Sequence, residues 1–194
     1  MKSTQLHKNF FLASADEVAE KLIGATLLFG NAGLGGTIIE TEAYDETDPT
    51  SHCWRRHVTD EIPYGSRPMF LSGGHAYIYR SNPYCLNFVC DRKGFGSAVL
   101  IRSLKPNPKT VGRTDGPARL CATLRVNYEH NNLALDEFPF RLIERPIDFG
   151  ADQIQVSTRV KLNKEKLLKK CDISETEIDT AIAMKRRWFV TLTN

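Results

Sequence analysis

Ile38-Ile39-Glu40-Thr41-Glu42-Ala43-Tyr44 sets two carboxylates and a phenol at every second position. Alternate side chains of a β-strand point the same way, so Ile38, Glu40, Glu42 and Tyr44 are expected on one side and Thr37, Ile39, Thr41 and Ala43 on the other. Groups of this kind, aligned on one face, can take up, hold and release protons. No basic residue stands among Glu40, Glu42, Asp45, Glu46 and Asp48, whereas Arg102–Arg125 holds six basic residues against Asp115 alone and Arg159–Lys170 six against Glu165 alone. A carboxylate-rich spot beside basic rims suits a polyanionic substrate. Solvated helix and loop faces are the plainer reading of the same charges. His52, Cys53 and His57 form the densest metal-like cluster, but paired-ligand spacing is missing, so loop or pocket roles are expected and no metal.

The elements that must position these residues follow from local signals. Ser14 and Glu17 fit a capping box that opens a helix, and Ala15, Val18, Ala19, Leu22 and Ile23 recur at helical spacing before Gly24 stops it. Thr26–Phe29 and Thr37–Tyr44 read as a hairpin around a Gly30–Gly36 turn. Asp45–Gly74, rich in Pro, Gly, Asp, His and Arg, reads as a long functional loop. Ala76–Tyr79, Tyr84–Cys90 and Ser97–Leu104 form an expected antiparallel meander joined by Arg80-Ser81-Asn82-Pro83 and Asp91–Gly96. A short helix starts at Asp115-Gly116-Pro117 and carries Leu120, Cys121 and Leu124; late strands are expected at Phe140–Ile143 and Trp188–Leu192, with a charged helical region over Asn163–Thr180. The class is α+β: one domain over residues 1–194, a mixed or antiparallel curved sheet with a β-meander and flanking helices.

Composition narrows the classes. The 194 residues carry Lys+Arg 26 against Asp+Glu 23, a net +3, with 41% hydrophobic and 25% charged residues. This excludes an acidic solvating tail and a histone-like polycation, and it disfavours a disordered or collagen-like chain. The N-terminus lacks the apolar run of a secretory signal and no stretch reads as a membrane span, so a cytosolic location is expected, or a nuclear one in a eukaryote. Five cysteines without a CxxC pair are expected to be reduced thiols.

The ordered series Ile38–Tyr44, Ser51-His52, Met69-Phe70, Gly73-Gly74, His75–Tyr79, Cys85-Leu86-Asn87, Val99–Arg102, Gly116-Pro117 with Leu120-Cys121, and Arg187–Val190 resembles the alkyladenine (3-methyladenine) DNA glycosylase family. The resemblance implies a monofunctional enzyme that releases alkylated and deaminated purines from double-stranded DNA without metal or organic cofactor, and a monomer is expected because duplex DNA must reach a broad face. It implies that Glu42 is the general base, that Arg102 helps hold the attacking water, and that Tyr44, His52 and Tyr79 wall the base pocket. Asn87, with Cys85 beside it, corresponds to the residue that discriminates against normal guanine. Family members carry a tyrosine at the tip of a longer hairpin to plug the gap left by the flipped nucleotide; here the tip is Arg80–Pro83 without an aromatic, leaving Asn82 or Met69 as substitutes and Arg80 as a DNA contact. The family's small residues after Arg159-Val160 are replaced by Lys161-Leu162.

Local chemistry agrees with these roles. A purine must rotate out of the duplex before its glycosidic bond can be attacked, at a cost of a few kcal/mol, and aromatic walls return about 1–3 kcal/mol of stacking. 3-Methyladenine and 7-methylguanine are cationic, which adds cation–π attraction and makes the base a good leaving group. Glu42, expected at the mouth end of its strand, can then take the proton of the attacking water and stabilise an oxocarbenium-like transition state, with Arg102 keeping it ionised and Glu40 in a supporting place. No lysine lies between Ile38 and Leu86, so hydrolysis is expected rather than an imine. Tyr77 reads as core or pocket support. Two other readings stay open: a catalytically weak lesion-binding protein of the same fold, and a hydrolase that releases bases from single strands or nucleosides.

Overall fold

Helix α1 (Ala15–Leu22) begins where Ser14 accepts the Glu17 amide at 3.4 Å, and it buries Ala15, Val18, Ala19 and Leu22. Only this first arm of the expected capping box is among its hydrogen bonds; the Glu17 carboxylate lies 3.9 Å from Lys21. Gly24 supplies the positive φ of +92° that ends the helix, and its amide bonds the Ile38 carbonyl at 2.8 Å. The computed structural model describes residues 4–54, 59–145, 149–150 and 153–191.

Among the described residues the chain then forms eight strands: β1 (Thr26–Phe29), β2 (Leu34–Asp45), β3 (Ala76–Tyr79), β4 (Cys85–Val89), β5 (Ser97–Pro106), β6 (Phe140–Ile143), β7 (Gln155–Ser157) and β8 (Arg187–Phe189). All pair antiparallel in one sheet of order β3-β4-β5-β2-β1-β6, with β8 joining β2 and β7 joining β8. The expected hairpin and meander are both present, and the α+β class holds, with an antiparallel sheet. The β1–β2 turn is tighter than expected because β2 starts at Leu34. β7 escaped the sequence reading: three residues, none buried, give no alternating signal. β8 is shorter than the expected strand, and Leu192 lies outside the described residues.

Twelve-residue β2 is the spine, since it pairs with β1 and β8 on one side and β5 on the other. Its register to β5 shifts on both sides of Glu40, where Ile38 faces Leu104, Glu40 faces Ser103 and Thr41 faces Ile101. This bulge corrects the alternation drawn from sequence. An extra residue in one strand switches the face of what precedes it. Ile38 therefore packs in the main core with Ala43, and Thr41 on the same side bonds the Ala19 carbonyl at 2.9 Å, while Glu42 and Tyr44 keep the opposite face.

Helix α2 (Pro117–Leu124) buries Leu120, Cys121 and Leu124 as expected. The Asn163–Thr180 region is two helices, α3 (Lys164–Lys170) and α4 (Glu175–Ala183), separated because Ser174 and Glu177 form a true capping box. Leu167, Cys171 and Ile178 make a small separate core there. All five cysteines are free.

The acids of β2 and the following loop do not form an open carboxylate spot. Asp48, fully buried, pairs with fully buried Arg159, whose guanidinium also donates to the Ala43 and Ala181 carbonyls at 3.0 Å each. Arg186 joins Asp16 of α1, Asp45 at 2.6 Å and Asp48 at 3.5 Å. Arginines from the basic stretch and the C-terminus thus turn inward to neutralise these acids, which the sequence could not distinguish from a basic rim. Removing one partner of a buried pair strands the other charge, at a cost of about 3 kcal/mol. Asp48→Asn is expected to lower unfolding stability by about that amount, measured by denaturant titration; an unchanged midpoint would refute the role given to this network.

Candidate active site

A cavity of about 430 Å³ opens on the face of the sheet opposite the main core, of a size suited to a small ligand. It is lined by Glu42 and Tyr44 of β2, Leu100 and Arg102 of β5, Tyr77 and Tyr79 of β3, Cys85 and Asn87 of β4, His52 and Met69 of the long loop, and a segment from Val160 to Leu162. The strand pairing explains this convergence: Glu42 stands opposite Leu100, Asn87 opposite both Leu100 and Tyr77, and Cys85 opposite Tyr79. A larger depression of about 560 Å³ at the β1–β6 end has, among the described residues, no buried ionisable side chain in its walls.

Glu42 is fully buried. It does not stand open at a mouth, since the Val160 segment covers it and bonds its carboxylate. One carboxylate oxygen, Oε2, accepts the Tyr44 hydroxyl at 2.9 Å and Arg102 Nη1 at 3.2 Å. The other, Oε1, accepts the Val160 amide at 2.9 Å. A carboxylate offers about four acceptor positions, and among the described residues Oε1 accepts from the Val160 amide alone. Arg102 is held in turn: its Nε donates at 2.8 Å to Glu40 Oε1, which also accepts Arg187 Nε at 2.7 Å. Glu40 therefore bridges two arginines and fixes the one that meets Glu42, the supporting place the sequence suggested. Burial opposes the Arg102 charge, but Glu42 and the Glu40 bond outweigh it and raise its pKa. Burial, with the Glu42 charge next, holds the Tyr44 phenol well above its ordinary value, so it stays a donor.

The Tyr44 ring carries the Arg159 guanidinium 4.8 Å from its centroid. His52 Nδ1 and the Tyr77 hydroxyl share a hydrogen bond of 2.5 Å, the imidazole meets Tyr79 edge to face at 4.8 Å, and Tyr77 is itself buried as pocket support. Asn87 spends both amide hydrogens on the Tyr77 and Cys85 carbonyls, each at 3.2 Å, which leaves its oxygen as the group it can offer. Cys85 is half-buried beside Ser81 at 3.4 Å, and burial raises its thiol pKa.

The remaining sequence candidates fall elsewhere. Met69 is 2% exposed and packs with Cys53, Phe70 and Tyr77, so it is a wall and cannot plug a base stack. Arg80 and Asn82 are exposed outside the cavity, with Arg80 4.0 Å over the Tyr128 ring. His57 lies outside the described residues; His52 faces the cavity while Cys53 is buried toward the Gly96 carbonyl, so the two do not converge. Sequence reasoning missed the Val160 amide, Tyr44's partner Arg159, and Lys170, which reaches the Ser51 carbonyl at 3.3 Å and lines the cavity with Lys161. The departure at Lys161-Leu162 was the one visible signal.

Residues 9–170 match the sequence pattern of a family described as methylpurine-DNA glycosylase. The chain is 41% identical to a protein of Rhodopseudomonas palustris strain BisB5 over 174 aligned residues, 81% of this chain and 83% of the relative. It is 41% identical to one from Nitrosospira multiformis, over 71% of this chain and 75% of the relative, and 36% identical to one from Agrobacterium fabrum, over 72% and 75%. All three relatives are provisionally named 3-methyladenine DNA glycosylase.

Burial first, and the Lys170 charge second, lower the His52 pKa from 6.5 to about 4. The unfolded chain therefore takes up this proton before the folded one does. The stability tied to neutral His52 is complete above pH 6.5 and is lost as the pH falls through about 4. Proton NMR of the imidazole is expected to show no titration between pH 8 and 5; a midpoint near 6.5 would contradict the burial of this ring.

Proposed function

The chain belongs to the methylpurine-DNA glycosylase family, and we propose that it hydrolyses the N-glycosidic bond of damaged purines flipped out of duplex DNA, acting as a monomer and leaving an abasic site. The carrying observation is the Glu42 carboxylate: three donors fix it, and among the described residues Oε1 accepts from the Val160 amide alone, which leaves an acceptor position for a water. The substrates are alkylated purines such as 3-methyladenine and 7-methylguanine, together with deaminated and etheno purines. Acting on chromosomal DNA, the protein works in the cytoplasm; no helix among the described residues is long and apolar enough to cross a membrane.

The damaged nucleotide enters the cavity between Tyr44, His52 and Tyr79, where ring faces replace the stacking lost on leaving the duplex. As the base departs, positive charge grows on the sugar, and the fixed carboxylate of Glu42 stabilises it without having to reorganise. Oε1 accepts the proton of the attacking water while Arg102, held by Glu40, keeps the water and the carboxylate aligned. Asn87 reads the base edge through its oxygen. Neither a metal nor an organic cofactor takes part in these steps. Arg80, exposed on the β3–β4 hairpin with Asn82, is a contact for the DNA backbone.

One observation favours a second reading. Lys161 and Lys170 border the cavity, so the lack of lysine between Ile38 and Leu86 does not keep amines from the reacting carbon. An amine attack would form an imine at C1′, which borohydride reduces to a stable protein–DNA adduct.

Release of 3-methyladenine from methylated duplex DNA tests the proposal. Glu42→Gln is expected to slow release about 100-fold or more while lesion binding persists, since general-base catalysis contributes on that scale. Equal rates in both proteins would overturn the mechanism. Borohydride during wild-type turnover is expected to trap no adduct; a trapped adduct that disappears with Lys161→Met or Lys170→Met would establish the amine route instead.

A further inference from the structure

The charge around the cavity is more positive than a cationic ligand favours. Lys161 and Lys170 line the same space as Glu42 and Arg102, and the His52 imidazole in the same wall is held neutral by burial and by the Lys170 charge. Among the described lining groups, one carboxylate faces three cations. That carboxylate is already engaged by Tyr44, Arg102 and the Val160 amide. Both lysines are exposed and stand at the rim of the cavity. Lys170 Nζ donates to the Ser51 carbonyl at 3.3 Å, next to His52, and Lys161 follows Val160 directly in a left-handed conformation of φ +62°. The acids behind the wall offer little relief, since Glu40 is bound by Arg102 and Arg187, and Asp48 by Arg159 and Arg186.

The aromatic wall points the same way by an independent contact. One face of Tyr44 already serves a cation, the Arg159 guanidinium 4.8 Å from the ring centroid. Cation–π attraction, the force that would single out a positively charged purine, is to that extent spent inside the protein.

We infer that Lys161 and Lys170 are specificity-determining residues, which weigh against cationic alkylpurines and in favour of neutral purines that present hydrogen-bond acceptors. The inference rests on the glycosylase reading and names the substrate class of that same pocket. A purine methylated at N3 or N7 brings a full positive charge toward two ammonium groups. Hypoxanthine is neutral and offers O6 and N7 as acceptors, which ammonium donors satisfy. A neutral base is also the poorer leaving group, and a lysine donor at an acceptor nitrogen takes up the charge that develops as the base departs.

The test compares single-turnover release of hypoxanthine and of 7-methylguanine from otherwise identical duplexes. The proteins are wild type, Lys161→Met, Lys170→Met, the double variant and Lys170→Arg. The ratio of hypoxanthine to 7-methylguanine release is expected to fall about tenfold in the double methionine variant, the scale of one or two partly screened charges at short range. Lys170→Arg, which keeps charge and donor, is expected to hold the wild-type ratio, and the ratio is insensitive to any shared loss of folded protein. An unchanged ratio in every variant overturns the inference. So does an equal loss for both lesions, which would mark the lysines as phosphate contacts. Release of neither base by the wild-type protein would overturn both this inference and the glycosylase reading.

Discussion

A carboxylate without solvent exposure must be surrounded by donors, and Glu42 imposes that requirement on the whole structure. A stranded buried charge costs several kcal/mol, so the fold has to bring enough partners to one point. They come from distant parts of the chain: Tyr44 two residues along the same strand, Arg102 from the neighbouring strand, and the Val160 amide 118 residues away. The β2 bulge gives the two carboxylates of that strand their present places. Ile38 goes to the core, Glu42 to the cavity, and Glu40 to the position where it holds Arg102 and Arg187 together.

The same economy governs the other acids. Asp45 and Asp48, read as part of a carboxylate spot, are absorbed by Arg186 and Arg159, and those arginines lock α1, the end of β2 and the C-terminal helices into one body. Sequence shows charges but not whether they face water or one another. A basic stretch that sends its arginine inward and two of its lysines, Lys161 and Lys170, to the cavity has a different meaning from a uniform basic rim. Arg159 is structural and braces Tyr44, while Lys161 and Lys170 set the electrostatic character of the pocket.

Much of the scaffold was legible because it depends on local rules. Helix α1 follows from the spacing of Val18, Ala19 and Leu22 and from the Ser14 cap, the hairpin from its glycines, and the meander from alternating apolar residues. Alternation also placed Asn87 and Cys85 on one side of β4 and Leu86, Phe88 and Cys90 on the other. What failed had no local signature. The bulge leaves the alternating pattern of types intact while moving Ile38 to the face opposite Glu42 and Tyr44, and β7 is too short and too exposed to register. The resemblance to glycosylases supplied the site residues as a set, and the fold brings Glu42, Arg102, Tyr44, His52, Tyr79, Cys85 and Asn87 around one cavity. Met69 joined them as a wall, and Arg80 and Asn82 did not join.

The central claim is that a chain of fixed charges, Arg187 to Glu40 to Arg102 to Glu42, aims the base. Glu40→Gln leaves Glu42 and the pocket walls in place and weakens only the bridge that holds Arg102. The decisive measurement is the single-turnover rate of base release by this variant, beside its lesion-DNA affinity and its unfolding midpoint. The expected result is a rate at least about tenfold lower, with affinity within about twofold of wild type, because aligning reacting groups acts on the chemical step more than on binding. A wild-type rate from a folded Glu40→Gln protein would contradict the account.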